Sequence, residues 1–190
     1  MSNQHFKGKY EVELKYRLES KSEFLKRLSD IPHQVMLENN TETDWYFDWP
    51  DNALAEANKS VCIRNMQPSG IKLWIVKGPE ADKCVATNIS DVDNAKNMLE
   101  TMGYQVTLEA EKTRSIYFID EFHITVDVLP GIGEFAEFAE FAIMTDDETK
   151  LPGYKVDLEQ LAGQFGLSQQ HLQTKSYKQM YAEKGKLRRS

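Results

Sequence analysis

Residues 8–18 read GKYEVELKYRL, where Tyr10, Val12, Leu14 and Tyr16 alternate with Glu11, Glu13, Lys15 and Arg17. A two-residue period puts one set on each face of a β-strand, so this segment predicts a strand with one apolar and one fully charged face. Residues 33–49, 59–66, 71–77, 83–88, 104–119, 122–129 and 134–144 read as further strands, and Gln67-Pro68-Ser69-Gly70 predicts a tight hairpin turn between the third and fourth. Asp120-Glu121 and Pro130-Gly131 predict the last two turns. Helical spacing appears in residues 19–28, with Ser20 or Ser22 as cap, in residues 90–102, closed by Gly103, and from Val156 onward. About eight strands that follow one another closely, with three or four helices, predict an α+β fold: a closed antiparallel β-barrel with a charged lumen and flanking helices.

The chain of 190 residues is long enough for one domain, and its 41% hydrophobic content supports a sizeable core. A net charge of −7 disfavours nucleic acid as a partner. Cys62 and Cys84 stand alone, without metal-ligand spacing, which fits a reducing cytoplasm. Neither a signal peptide nor a run of roughly 20 apolar residues is read, so a cytosolic location without membrane association is expected. Lys184 to Arg189 reads as a solvated basic tail. A homodimer is admissible.

Charged residues also interrupt apolar strands singly: Arg64 in VCIRNM, Lys77 after IKLWIV and Asp127 in HITVDVL. Buried charges need partners, and a common lumen supplies them. The basic inventory is Lys15, Arg17, Arg64, Lys77, Lys112 and Arg114. Against it stand Glu11, Glu13, Asp127 and a glutamate of the Glu134–Glu140 segment. Basic groups of this kind match a triphosphate, and carboxylates beside them suit Mg²⁺ or Mn²⁺. A structural salt-bridge network is the competing reading.

Glu11-Val-Glu13-Leu-Lys15 resembles the ExExK signature of the CYTH superfamily, the triphosphate tunnel enzymes that include class IV adenylyl cyclases and thiamine triphosphatases. Arg64, Lys77-Gly78-Pro79, Lys112-x-Arg114, Asp127 and Ser176-Tyr177 follow in family order. NMQPSGIKLWIVKGP and RSIYFIDEFHITVD look most like the compact bacterial class IV adenylyl cyclases. The resemblance implies conversion of ATP to cyclic AMP and pyrophosphate. Glu11, Glu13, Asp127 and one glutamate of the last strand would hold divalent metal ions. Lys15, Arg64, Lys77, Lys112 and Arg114 would grip the triphosphate. Glu11, Glu13, Asp127, Lys112 and Arg114 would be catalytic. An inorganic or thiamine triphosphatase and a non-catalytic triphosphate-binding module are the alternatives.

Two departures from the family pattern stand out. Val85 occupies a position where a carboxylate is expected. Glu-Phe-Ala occurs three times in residues 134–142, so the last metal ligand is Glu137 counting from Gly133 and Glu140 counting back from Ile143. An offset of three reverses the strand face, so a bulge near Ala139 and Glu137 as ligand are expected. His123 reads as a packed or surface residue, and the tryptophans read as packing, with Trp74 near the lumen.

Overall fold

A computed structural model describes residues 4–133 and 135–187. Glu134 and the end of the basic tail, Arg188 and Arg189, lie outside the described residues. The elements in chain order are β1 (Tyr10–Arg17), α1 (Lys21–Ser29), β2 (Gln34–Asp48), α2 (Ala53–Glu56), β3 (Ser60–Gln67), β4 (Lys72–Lys77), β5 (Cys84–Asn88), α3 (Val92–Thr101), β6 (Gln105–Ile119), β7 (Phe122–Pro130), β8 (Phe135–Thr145), α4 (Leu151–Gln164) and α5 (Tyr177–Leu187). The strands join in the order β1-β8-β7-β6-β2-β3-β4-β5. That order has two ends. The expected antiparallel sheet with flanking helices is present, but it is open rather than closed. Alternation reports that one strand face is shielded; it carries no information on whether the outermost strands meet.

The chain divides into two compact units, Met1–Asn39 with Lys112–Ser190, and Asn40–Glu111. In the first unit, β1, β8 and β7 pair antiparallel, and β7 pairs with β6. Val12, Leu14, Tyr16, Ile124, Val126, Ala139, Phe141 and Ile143 turn to one face, where Phe24 and Leu28 of α1 and Leu158, Leu161 and Ala162 of α4 cover them. Full burial of each large side chain contributes about 1.5–3 kcal/mol, so this face holds most of the unit's stabilisation. Ser20 begins α1, its hydroxyl accepting from the Glu23 amide at 3.2 Å.

The second unit repeats the plan with different residues. Phe47, Val61 and Ile63 face Ala95 and Leu99 of α3, with Trp45 and Trp74 packed alongside. Trp74 thus belongs to the helix-covered face, not to the charged one. Between β3 and β4 the predicted hairpin turn is present, with Gly70 at φ +75°, a conformation that costs glycine little. Asp91 caps α3 by accepting from the Asn94 amide at 2.9 Å.

Candidate functional site

Turning β1's apolar set toward the helices leaves Glu11, Glu13, Lys15 and Arg17 on the opposite face. Register extends that face across the sheet. Lys15 lies opposite Glu140. Glu140 in turn lies opposite Thr125, and Asp127 lies opposite Arg114. Lys112, two positions before Arg114, shares its face. Four strands therefore bring Lys15, Lys112, Arg114, Asp127 and Glu140 to one surface, where each is less than a tenth exposed.

The contacts within this cluster are charge-assisted and directional. Arg114 donates from Nε and Nη2 to the two oxygens of Asp127, both at 2.7 Å, and from Nη2 to Glu140 Oε2 at 2.9 Å. Thr125 Oγ1 donates to the same Glu140 oxygen at 3.1 Å. Lys15 Nζ stands 3.6 Å from Glu140 Oε1. The forked guanidinium thus holds two carboxylates that would otherwise repel each other.

The segment after α4 supplies a further group that the alternation of the strands did not announce. Leu172 bridges to Tyr16, and the Gln173 amide donates to the Lys15 carbonyl at 2.8 Å. Lys15 Nζ donates to the Lys175 carbonyl at 3.2 Å. Tyr177 opens α5 and donates its hydroxyl to Asp127 Oδ2 at 2.8 Å. Burial pushes the Tyr177 phenol well above its ordinary value, and the negative charges of Asp127 and Glu140 add to the rise. Burial likewise raises the Asp127 carboxyl, opposed by Arg114 and Lys112 and reinforced by Glu140.

Glu11 and Glu13 sit at a more open part of the face. Glu11 Oε2 lies 3.6 Å from Nε2 of His123, which is 4% exposed and packs against Phe6 with ring centroids 4.6 Å apart. His123 is therefore a packed residue, as expected.

The triplet repeat resolves against the sequence expectation. Pairing of β8 with both neighbours runs without interruption through Phe138, Ala139 and Glu140, so Ala139 carries no bulge. Regular alternation then puts Glu140 with Lys15 and Arg114, and Glu137 on the other face. There Glu137 Oε2 accepts from the Lys21 amide at 2.6 Å, at the first turn of α1. The strand itself holds the repeat from Phe135 to Ala142, so it is the pairing with β1 and β7 that decides which glutamate faces Lys15.

In the second unit, Arg64 donates from Nε and Nη2 to Asp44 at 2.7 and 2.9 Å and approaches Glu42 Oε1 at 3.0 Å. Both carboxylates are fully buried. Neither was singled out from sequence, although Glu42 and Asp44 show the same two-residue spacing as Glu11 and Glu13. Register places Lys77 on the Arg64 face, since Ser60 opposes Lys77 and Arg64 opposes Leu73. Cys84 opposes Lys77, whereas Val85 opposes Val76 on the other face and is 48% exposed. The valine therefore takes no carboxylate away from the charged side.

Carboxylate oxygens are hard donors of the kind that suit Mg²⁺ or Mn²⁺. Glu11, Glu13 and Glu140 lie on one face, Glu140 with its Oε2 taken by Arg114 and Thr125 and its Oε1 3.6 Å from Lys15. Asp127 fits that role less well: Arg114 and Tyr177 already occupy both its oxygens.

A sheet with one helix-packed face, and an opposite face on which an N-terminal Glu-x-Glu-x-Lys strand meets paired basic and acidic groups, is the arrangement expected of the CYTH class. The chain belongs to the CYTH family, whose CYTH domain model matches residues 9–177. It is 55% identical over 178 residues to adenylate cyclase CyaB of Aeromonas hydrophila, covering 94% of this chain and 92% of that one. A crystal structure from Vibrio parahaemolyticus, described as that of a proposed adenylate cyclase, superposes with a TM-score of 0.89 at 53% identity, covering 93% of this chain and 99% of the other. A Pyrococcus horikoshii protein shares the fold, with a TM-score of 0.78 at 23% identity, covering 92% and 99%. Among the described residues, no helix is long and apolar enough to cross a membrane.

Proposed function

We propose that the protein is an adenylyl cyclase that converts ATP to cyclic AMP and pyrophosphate with the help of divalent metal ions. The observation that carries this reading is the 55% identity, over nearly the whole chain, to a protein named as an adenylate cyclase. In the reaction, the ribose 3′-oxygen forms a bond to the α-phosphorus, the bond from that phosphorus to the β-phosphate oxygen breaks, and the hydroxyl proton departs. Positioning and charge neutralisation are the main demands on the protein.

Lys15, Lys112 and Arg114 supply positive charge to the triphosphate in this reading, and Arg64 and Lys77 are the basic candidates of the second unit. Asp127, through its double contact with Arg114, fixes the orientation of that guanidinium. Glu11, Glu13 and Glu140 are the residues that would hold metal. A bound divalent ion supplies Lewis acidity toward the attacking hydroxyl and the phosphate oxygens. The chain's own contribution is a set of groups oriented before substrate arrives, which lowers the reorganisation needed in the transition state.

Incubation of the purified protein with ATP and Mn²⁺, followed by chromatography of the products, tests the proposal. Cyclic AMP and pyrophosphate in equal amounts are expected. ADP with phosphate would replace this reading by a triphosphatase, and unchanged ATP would leave a binding module.

A further inference from the structure

Lys15 and Lys112 extend from different strands toward the same aromatic ring. Lys15 Nζ lies 4.2 Å from the Tyr177 ring centroid and Lys112 Nζ 5.3 Å from it. Both lysines are nearly buried, at 8% and 5% exposure, so their like charges are poorly screened by water. An aromatic ring carries partial negative charge on its face and attracts ammonium groups most strongly where water is scarce.

The ring itself is firmly held. The Gln179 amide donates to Ser176 Oγ at 3.1 Å while the Ser176 amide donates to Gln179 Oε1 at 2.8 Å, a reciprocal cap that fixes the start of α5. Phe138 meets Tyr177 edge-on with centroids 5.4 Å apart, and Leu129, Ala136 and Met180 complete the packing. The hydroxyl bond to Asp127 then sets the ring's rotation.

We propose that Tyr177 is a positioning residue for the triphosphate, whose ring contacts both the Lys15 and the Lys112 ammonium groups in advance of binding. This inference rests on the triphosphate reading given above. Without the ring, Lys15 would keep its bond to the Lys175 carbonyl and its approach to Glu140. It would lose the contact point it shares with Lys112, so binding would have to hold the two ammonium groups against their mutual repulsion unaided. The ring carries this role; the hydroxyl only orients it.

Titration calorimetry with inorganic tripolyphosphate in metal-free buffer tests the inference without chemistry. Tyr177→Leu is expected to weaken binding about tenfold, while Tyr177→Phe, which keeps the ring, is expected to stay within about twofold of wild type. A folded leucine variant with wild-type affinity would overturn the proposal, as would a phenylalanine variant that loses as much as leucine. Circular dichroism establishes folding. If the leucine variant does not fold, Tyr177→Met, similarly bulky but without a ring, takes its place. A wild-type protein that fails to bind tripolyphosphate sinks the triphosphate reading and this inference together. Wild-type binding without cyclic AMP formation sinks only the cyclase assignment.

Discussion

Arg114 and Asp127 face each other across the β6–β7 ladder and meet edge to edge through two hydrogen bonds of 2.7 Å. Removing charge from one side of a buried pair leaves the other uncompensated, a loss of about 3 kcal/mol. Asp127→Asn is therefore expected to lower the urea-unfolding free energy by about that amount, with Glu140 retaining the guanidinium in part. An unchanged unfolding midpoint would show that Glu140 alone satisfies Arg114.

Glu137 and Glu140 should separate stability from activity. Glu137→Gln weakens a charged contact to the first turn of α1 and is expected to cost about 0.5 kcal/mol while leaving turnover near wild type. Glu140→Gln should raise the Mn²⁺ concentration needed for half-maximal turnover by about tenfold or more. Metal titrations of both variants decide the matter, and the reverse ranking would contradict the assignment drawn from the register.

Glu11→Ala and Glu13→Ala remove side chains that lie on a partly open face rather than in the core. Turnover is expected to fall about a hundredfold or more in each, with the melting temperature almost unmoved. Wild-type rates at limiting metal in either variant would exclude that residue from the metal site.

Tyr117 donates its hydroxyl to Glu38 at 2.9 Å, and burial, with that bond and charge, pushes the phenol up to about 12. Burial also raises Tyr16. Raised values mean that the folded protein keeps protons which the unfolded chain releases near pH 10. The contribution is thus fully present below that pH and is lost as pH rises from about 10 through about 12. Chemical unfolding across this range should show falling stability, and phenolate absorbance should show late-titrating tyrosines. A flat stability profile would mean that Tyr117 ionises normally in the folded state.

Much of this arrangement was legible because a two-residue period maps residues directly onto faces. Alternation in Tyr10–Arg17 identified the charged face of β1, and isolated charges at Arg64, Lys77 and Asp127 extended the search to other strands. Failures occurred where periodicity is silent. The openness of the sheet depends on what its outermost strands pair with, which side-chain patterns do not encode. The bulge expected near Ala139 is absent; a three-residue repeat fits a two-residue period in two ways, and the pattern alone does not choose between them. Tyr177 is marked in the sequence only by a family likeness, because it lies at the start of α5, outside the strands, and reaches Asp127 from there. Glu42 and Asp44 were passed over although their spacing repeats that of Glu11 and Glu13.

The Glu-Phe-Ala triplets make β8 ambiguous over part of its length. Sliding the strand by one triplet would offer Lys15 a glutamate again, flanked by the same neighbours, so the repeat cannot by itself select its own alignment. Selection falls to Ile143, Met144 and Thr145, which pair with Val12, Glu11 and Tyr10. In the slipped alignment Val12 would meet Glu140, driving a carboxylate against the helices. The downstream end of β8 thus acts as a ruler that sets which glutamate of the repeat meets Lys15. If that ruler holds, a version one triplet shorter should still set a glutamate opposite Lys15, as measured by unchanged metal dependence.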